Sequence, residues 1–257
     1  MIPVDEASRL GILVANVPDV NAEFVAEYAM GQMLNLSRRL IHTGNAFRQH
    51  SWEHGKKVAI ESSGLKGKTV GIIGFGAIGK KLSYMCRNGF AMNVVASRRQ
   101  GQNYRGETEV ERLEFSELLR VSDFVVLSCP LTSETEGMID EAAFSKMKRS
   151  AYLINVARGR IVNSTALLQA LEHKKIAGAA LDVYEETPLS PTSPLFCFDE
   201  VLMTPHVAAV TAESMRTMAL ESVVQVLDVL QGKLPKNWVN TNAGKEIESR
   251  WKSLDGG

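Results

Sequence analysis

A glycine-rich turn at residues 74–79 constrains the fold of this chain more than any other stretch of its sequence. The turn reads Gly-Phe-Gly-Ala-Ile-Gly, and residues 70–73 before it have the β-branched, apolar character of a buried strand. A helical apolar pattern follows the turn, with Leu82, Met85 and Cys86 on one face. A strand, a Gly-x-Gly-x-x-Gly turn and a helix in this order are typical of a dinucleotide-binding site.

Each glycine of the turn has its own physical role. The first permits a tight turn, the second lets the backbone approach a pyrophosphate, and the third lets the helix pack closely on the strand. The free N–H groups at the start of the helix then point at the phosphates. The predicted cofactor-binding residues of this turn are Gly74, Gly76, Ala77, Ile78 and Gly79.

Composition limits the classes of protein to which the chain can belong. Its 257 residues suffice for one large domain, or for one domain and part of another. The 29 Lys and Arg residues balance 29 Asp and Glu residues, so no net charge favours nucleic acid or an anionic membrane. The apolar stretches are strand-sized, no signal-peptide pattern occurs, and the three separated cysteines predict neither disulfides nor a metal site. We therefore expect a cytoplasmic protein that binds neither nucleic acid nor a membrane.

From the turn onward, segments of strand and helix character alternate. This alternation predicts an α/β fold, a doubly wound parallel sheet of the Rossmann type with helices on both faces. The predicted strands are 70–73, 93–96, 124–128, 151–155, 178–181 and 201–203. The predicted helices are 77–88, 116–121, 141–147, 164–172 and 212–230, with Gly232 as the C-cap of the last.

A further helix is predicted before the sheet. Asn21 can cap it, and apolar residues recur at helical spacing from Val25 to Leu40. A second apolar row, which includes Ala26 and Met30, predicts that this helix is buried on two sides. A polar stretch is expected between this helix and the first strand.

The end of the second strand selects the cofactor in a dinucleotide fold. An acid there favours NAD, whereas a neutral residue followed by arginine suits the 2′-phosphate of NADP. Here Ser97 is followed by Arg98 and Arg99, and a guanidinium binds phosphate oxygens bidentately. We predict that these three residues bind NADP(H) in preference to NAD. The alternative is that both arginines are solvated charges at a strand end.

Four later segments lie where predicted strands end, which is where ligands bind in open α/β sheets. These segments are 128–132, 155–160, 181–188 and 204–209. Together with residues 18–27, they resemble the D-isomer-specific 2-hydroxyacid dehydrogenase family, the NAD(P)-dependent reductases of glyoxylate, hydroxypyruvate and related 2-oxo acids. The five motifs occur in the family's order, from about residue 3 to about residue 240.

The resemblance implies roles for single residues. By it, Arg158 holds the substrate carboxylate and polarises the carbonyl group, as suits a bidentate cation beside an anionic substrate. His206 is the general acid that protonates the carbonyl oxygen as hydride reaches carbon. Arg158 could instead be a surface arginine at a strand end, like Arg160.

The same resemblance extends the predicted cofactor site. It implies that Asp182 binds the nicotinamide side, although Asp182 could instead cap or brace the loop after its strand. The other cofactor-binding residues that it implies are Cys129, Pro130, Thr135, Val156 and Ala157. It implies no metal.

The chain departs from the family pattern in two places. The family has a glutamate, paired with the histidine, immediately before the proline of the loop after Asp182, and this chain has Thr187 there. We expect reduced turnover and an acid-shifted pH optimum as a result, unless Glu186 takes its place. The family also begins with a flavodoxin-like substrate domain. We expect residues 1–20 to be a remnant of it, residues 21–231 the dinucleotide-binding domain, and residues 232–257 a polar tail.

The leading expectation for function is hydride transfer between NADP(H) and a small anionic 2-oxo or 2-hydroxy acid. A non-catalytic or weakly active NAD(P)-binding module is the alternative, which Thr187 and the short N-terminal region favour. A relative that acts on another anion, such as formate or phosphite, also stays open. The resemblance implies a homodimer built with the helix near Asn21, but burial of that helix within one chain would give the same pattern.

Overall fold

The computed structural model describes residues 2–97 and 110–255, with side chains up to residue 251. The chain divides into two compact units. The larger is Ala22–Ala209, and the smaller consists of the described parts of Met1–Asn21 and Val210–Gly257. The sequence analysis divides the chain by its resemblance to the domains of a family, whereas these units are defined by how compactly the chain packs. The predicted domain division therefore stays a prediction.

The larger unit is built on one sheet of seven parallel strands, in the order β3-β2-β1-β4-β5-β6-β7. The strands are β1 Thr69–Ile73, β2 Asn93–Ser97, β3 Glu111–Leu113, β4 Phe124–Leu127, β5 Tyr152–Asn155, β6 Gly178–Leu181 and β7 Val201–Met203. The order runs outward in opposite directions from β1 and β4, which leaves a crevice at their carboxyl ends. The predicted doubly wound fold is confirmed. The prediction missed β3, a three-residue strand that is too short for a periodic pattern.

Helices flank the strands in chain order. In the larger unit they are α2 Ala22–Arg38, α3 Leu40–Gln49, α4 Trp52–Ile60, α5 Ala77–Tyr84, α6 Phe115–Val121, α7 Glu141–Lys146 and α8 Ser164–Glu172. The predicted helix 77–88 is α5 continued by a π-helical segment, Met85–Gly89. In the smaller unit the helices are α1 Val4–Arg9, α9 Ala212–Leu230 and α10 Gly244–Asp255. None of the helices within the described residues combines the length and the apolar character needed to cross a membrane.

Apolar side chains fill both faces of the sheet, as strand β4 shows most directly. Val125 and Leu127 pack in the cluster on one face, together with the helices α6, α7 and α8. Phe124 and Val126 pack in the cluster on the other face, together with α2 and α5. A parallel strand covered on both sides reads as a continuous apolar run, which is why the sequence predicts it well.

Helix α2 differs from its prediction at its end. It stops at Arg38 because Arg39 has a φ of 50°, a left-handed conformation that breaks the helix before Leu40. Both apolar rows are buried within the larger unit, with Ala26 and Met33 fully inaccessible. Burial within one chain therefore accounts for the two-sided pattern, and the homodimer stays a prediction.

The stretch between α2 and β1 contains helices where the sequence suggested only polar chain. Ser51 caps α4 by accepting a hydrogen bond from the backbone N–H of His54, at 3.1 Å. Large apolar side chains of α3 and α4 remain exposed, including Phe47, Trp52 and Ile60. These apolar residues are too widely spaced for the sequence to show a helical period.

In the smaller unit, Asn240 links the C-terminal part of the chain to its N-terminal part by hydrogen bonds. Its side-chain oxygen accepts from Val14 N at 2.9 Å, and its amide nitrogen donates to Ile12 O at 3.0 Å. The C-cap of α9 is Gln231, and Gly232, with a φ of 72°, is the left-handed residue that follows it, one position beyond the predicted C-cap. Residues 232–257, predicted only as a polar tail, contain α10.

Asp123 links the start of β1 to β4 and gives a pH-dependent contribution to stability. Burial alone would raise the pKa of its carboxyl group, but hydrogen bonds from Thr69 N (2.8 Å) and Lys148 Nζ (2.9 Å) hold that pKa below its usual value. The carboxylate is therefore stabilised in the folded state at neutral pH, and this stabilisation disappears as pH falls through the folded pKa.

We expect Asp123→Asn to lower the free energy of unfolding by about 1.5 kcal/mol at neutral pH, and by less under acid conditions. Urea denaturation at both pH values measures the difference. Asp199→Asn, at an exposed position, is the control. An equal loss at both pH values in Asp123→Asn would contradict the assignment.

Candidate functional site

The predicted site segments meet at one edge of the sheet. Residues 74–79 follow β1, 128–132 follow β4, and the loops that begin at residues 156, 182 and 204 follow β5, β6 and β7. Because all these strands are parallel, their carboxyl ends lie on the same side. The fold thus gathers segments that are far apart in the sequence.

The glycine turn shows why each glycine is present. Gly74 has a φ of 96°, and a Cβ there would collide with the backbone of Cys129. At Gly79 a Cβ would stand 2.6 Å from the carbonyl oxygen of Gly74. At Gly76, in contrast, no atom of the described residues other than its chain neighbours lies within 4 Å of the Cβ position. The protein's own packing requires the first and third glycines, whereas the space at the second is open to a ligand.

The start of α5 fits the phosphates of a dinucleotide. Ala77 and Ile78 are its first two residues, and its N-cap, Gly76, has no side chain to occupy the free N–H groups. Those donors and the positive end of the helix favour an anion. The residues present at this turn therefore suit the predicted cofactor.

Two serines hold the turn between neighbouring strands. Ser97, at the end of β2, accepts a hydrogen bond from Gly74 N at 3.3 Å. Ser128, just after β4, donates to Gly74 O at 2.6 Å. Ser97 thus lies beside the turn and its role in cofactor binding stays a prediction, while Arg98 and Arg99 fall outside the described residues.

The loop after β4 contains three of the predicted cofactor residues. Cys129 is buried against Gly74, and burial raises the pKa of its thiol, so packing rather than thiolate chemistry explains it. Thr135 Oγ1 donates to the carbonyl oxygen of Pro130 at 2.7 Å and accepts from Thr132 N at 2.8 Å. These bonds give the loop a defined shape and leave Pro130 exposed at the sheet edge.

Arg158 is positioned by Asn155, a residue whose role the sequence did not reveal. The Asn155 side chain is 1% exposed; its oxygen accepts from Ala157 N at 3.0 Å, and its nitrogen donates to Arg158 O at 3.1 Å. Val156 and Ala157 are buried, and the Arg158 side chain is exposed. A polar residue at the last position of an apolar strand is the signal that could have identified Asn155.

The loop after β5 packs tightly against the loop after β6. A Cβ at Gly159 would overlap the backbone of Tyr184 and Glu185, so only glycine fits. Glu185 reaches back and accepts a hydrogen bond from Ser164 N at 3.4 Å. Glu186 and Thr187 are both exposed in the same loop.

His206 has a backbone conformation that is unusual for a residue other than glycine. Its φ is 58°, and its N–H donates to the carbonyl oxygen of Asp182 at 2.8 Å. Such left-handed residues persist only where their surroundings hold them, and they cluster at functional sites. The His206 side chain is exposed at the carboxyl end of β7.

Asp182 braces the His206 loop. Its carboxylate is 1% exposed and accepts from Val207 N (2.7 Å), Ala208 N (2.8 Å) and Thr204 Oγ1 (2.7 Å). This is the bracing role that the sequence left open as an alternative. The nicotinamide-binding role of Asp182 stays a prediction.

Tyr184 adds a second brace that the sequence did not indicate. Its hydroxyl group lies within hydrogen-bonding distance of Leu181 O (3.1 Å) and Thr204 O (3.0 Å). Burial raises the pKa of Tyr184 to about 12, so the hydroxyl keeps its proton and remains a donor. The ends of β6 and β7 are thereby joined beneath the His206 loop.

Over the residues that the structure describes, no three or more His, Cys, Asp or Glu side chains come together in a way that could hold a metal ion.

Comparison with known proteins identifies the family. Residues 30–208 match the family model described as D-isomer specific 2-hydroxyacid dehydrogenase, NAD binding domain. The glyoxylate reductase of Thermofilum pendens is 38% identical over 247 residues, which are 93% of this chain and 71% of that protein.

Solved structures agree with this match. The TT0316 protein of Thermus thermophilus has a TM-score of 0.86 at 32% identity, over 93% of this chain and 75% of that one. An acyclic imino acid reductase solved with NADPH and D-Arg has a TM-score of 0.80 at 26% identity, over 93% and 74%. The chain therefore belongs to the D-isomer specific 2-hydroxyacid dehydrogenase family of oxidoreductases, and residues 30–208 are its NAD-binding domain.

Proposed function

We propose that this protein transfers hydride between NADP(H) and a small anionic 2-oxo or 2-hydroxy acid. One observation carries the proposal: the loops of Arg158 and His206 lie at the same sheet edge as the glycine turn. The similarity to a glyoxylate reductase supports glyoxylate and hydroxypyruvate as the first substrates to test.

Each side chain at this edge has its own role in the proposed reaction. The Arg158 guanidinium binds the substrate carboxylate and polarises the carbonyl group, while Asn155 holds the Arg158 backbone in place. His206 gives a proton to the carbonyl oxygen during reduction and takes it back during oxidation. When bound, the nicotinamide cofactor supplies or accepts the hydride. The residues proposed to hold it are Gly74, Gly76, Ala77, Ile78, Gly79, Ser97, Arg98, Arg99, Cys129, Pro130, Thr135, Val156, Ala157 and Asp182.

Preference for NADP(H) over NAD(H) is part of the proposal. The strand end at Ser97 lacks an acid and continues into Arg98 and Arg99. A structural relative solved with NADPH supports the same preference. Fluorescence titration with NADPH and NADH tests it, and tighter binding of NADH would contradict it.

Absorbance assays of NADPH oxidation test the activity itself, with glyoxylate, hydroxypyruvate and pyruvate as substrates. Turnover of at least one of them is expected. NADPH binding without turnover of any 2-oxo acid would favour the second candidate, a binding module without catalysis. Thr187 is the observation that favours this second candidate, because it stands where the family has a glutamate.

Thr187→Glu tests whether the missing glutamate limits turnover. A carboxylate at this exposed position is expected to stabilise the protonated His206, to raise turnover about tenfold and to move the pH optimum upward. Thr187→Gln, of matching size without the charge, is the control. An unchanged rate and pH profile in Thr187→Glu would show that the missing glutamate is not what limits turnover.

We also propose that the protein forms a homodimer and is located in the cytoplasm. The exposed Phe47, Trp52 and Ile60 of α3 and α4 give an apolar surface that a second copy could cover. Sedimentation velocity tests this; a monomer at micromolar concentration would contradict it.

A further inference from the structure

A chain of side-chain contacts links helix α2 to the loop of His206. The Tyr28 hydroxyl, on α2, is hydrogen-bonded to Thr204 Oγ1, just after β7. Thr204 Oγ1 in turn bonds Asp182 Oδ1 at 2.7 Å, just after β6. Asp182 accepts hydrogen bonds from the backbone N–H groups of Val207 and Ala208, the two residues directly after His206.

The direction of these hydrogen bonds follows from the groups involved. A carboxylate only accepts, so the single hydroxyl hydrogen of Thr204 goes to Asp182. The oxygen of Thr204 is then an acceptor, and Tyr28 is the donor. Burial raises the pKa of Tyr28, so its phenol keeps the proton that this arrangement needs. The hydroxyl of Tyr28, and not only its ring, is therefore part of the network.

The network acts on a strained part of the backbone. His206 has a φ of 58°, and its own N–H donates to Asp182 O at 2.8 Å. A histidine in this region reverts to an extended conformation unless several contacts hold it. Thr204 and Asp182 supply those contacts, and Tyr28 limits the rotation of the Thr204 side chain.

We propose that Tyr28 is a positioning residue: by fixing Thr204, and through it Asp182, it holds the His206 loop in its left-handed conformation, with the imidazole placed for proton transfer. The proton-transfer part rests on the proposed function. The loop-holding part concerns the folded protein alone and can be measured without turnover.

Tyr28→Phe tests the proposal, because it removes one hydroxyl group and keeps the ring. We expect the amide protons of Val207 and Ala208 to exchange about tenfold faster in this variant, as measured by NMR on the cofactor-free full chain. The matched control is Tyr152→Phe, which removes the hydroxyl of another half-buried tyrosine, stacked on Phe124 in the core. That control is expected to leave the two amides unchanged.

A kinetic measurement separates positioning from general destabilisation. We expect Tyr28→Phe to lower kcat for a 2-oxo acid about tenfold, with KM and the Kd for NADPH changed by less than about twofold. Thr204→Val is expected to reproduce the faster exchange, whereas Thr204→Ser, which keeps the hydroxyl, retains the protection.

The outcomes are distinct. Unchanged exchange in Tyr28→Phe overturns the proposal, and so does an equal increase in Tyr152→Phe. Faster exchange with unchanged kcat overturns the link to proton transfer. If the wild-type protein turns over no 2-oxo acid, the proposed function fails, and the exchange comparison still decides whether Tyr28 holds the loop.

Discussion

Replacing Arg158 by glutamine is expected to lower kcat/KM for a 2-oxo acid by about 100- to 1000-fold while leaving the affinity for NADPH nearly unchanged. The guanidinium is the group proposed to pair with the substrate carboxylate and to stabilise charge on the carbonyl oxygen, and glutamine supplies neither the charge nor the forked donors. The substitution removes the bond that Arg158 Nη1 donates to Ala157 O at 2.7 Å, but it keeps both bonds from Asn155 to the backbone of this turn, so the turn should keep its shape. Steady-state kinetics and a separate NADPH titration measure the two effects.

Arg160→Gln is the matched control for this experiment. Arg160 lies two residues further on, is also exposed, and forms an ion pair with Glu136. Its replacement should change kcat/KM by less than about threefold, because exposed ion pairs contribute little. Equal losses in both variants would mean that Arg158 is a surface residue at a strand end.

Gly76→Ala is expected to weaken NADPH binding by at least about tenfold without changing the melting temperature. Among the described residues beyond its chain neighbours, no atom lies within 4 Å of a Cβ at this position, so this part of the chain accommodates the methyl group. The same methyl group would occupy the space in which a pyrophosphate approaches the backbone. Isothermal titration with NADPH and thermal denaturation measure the two quantities.

Substitutions at two other glycines serve as controls for this experiment. At Gly79 an added Cβ would stand 2.6 Å from Gly74 O, so Gly79→Ala is expected to cost about 2 kcal/mol or more of stability. Gly89→Ala, at a position also open to solvent but away from the turn, should affect neither binding nor melting. Unchanged NADPH affinity in Gly76→Ala would rule out the turn as the phosphate site.

The sequence predicts those parts of the fold that depend on local pattern. β4 and β5 are apolar runs, and the glycine turn stands between a strand pattern and a helix pattern. α3 and α4 were not predicted because several of their large apolar side chains are exposed and no glycine or proline marks the break at Arg39. β3 was not predicted because three residues at a sheet edge are too few to show the alternating pattern of a strand.

The candidate site shows a similar limit. Arg158 and His206 could be named from their positions after strands, because the family pattern marks them. The roles of Asn155 and Tyr28 could not, because they depend on which loops the sheet order brings together. Tyr28 precedes Thr204 by 176 positions, and only the folded chain makes them neighbours.

Gly159 limits how substrate preference can change in this protein. Since its Cα has no room for a methyl group against the backbone of Tyr184 and Glu185, the loop that contains Arg158 cannot shift independently of the loop that contains Thr187. An insertion or deletion between residues 184 and 188 would therefore displace the arginine as well. An exchange of one side chain on an unchanged backbone, as at Thr187, avoids this displacement.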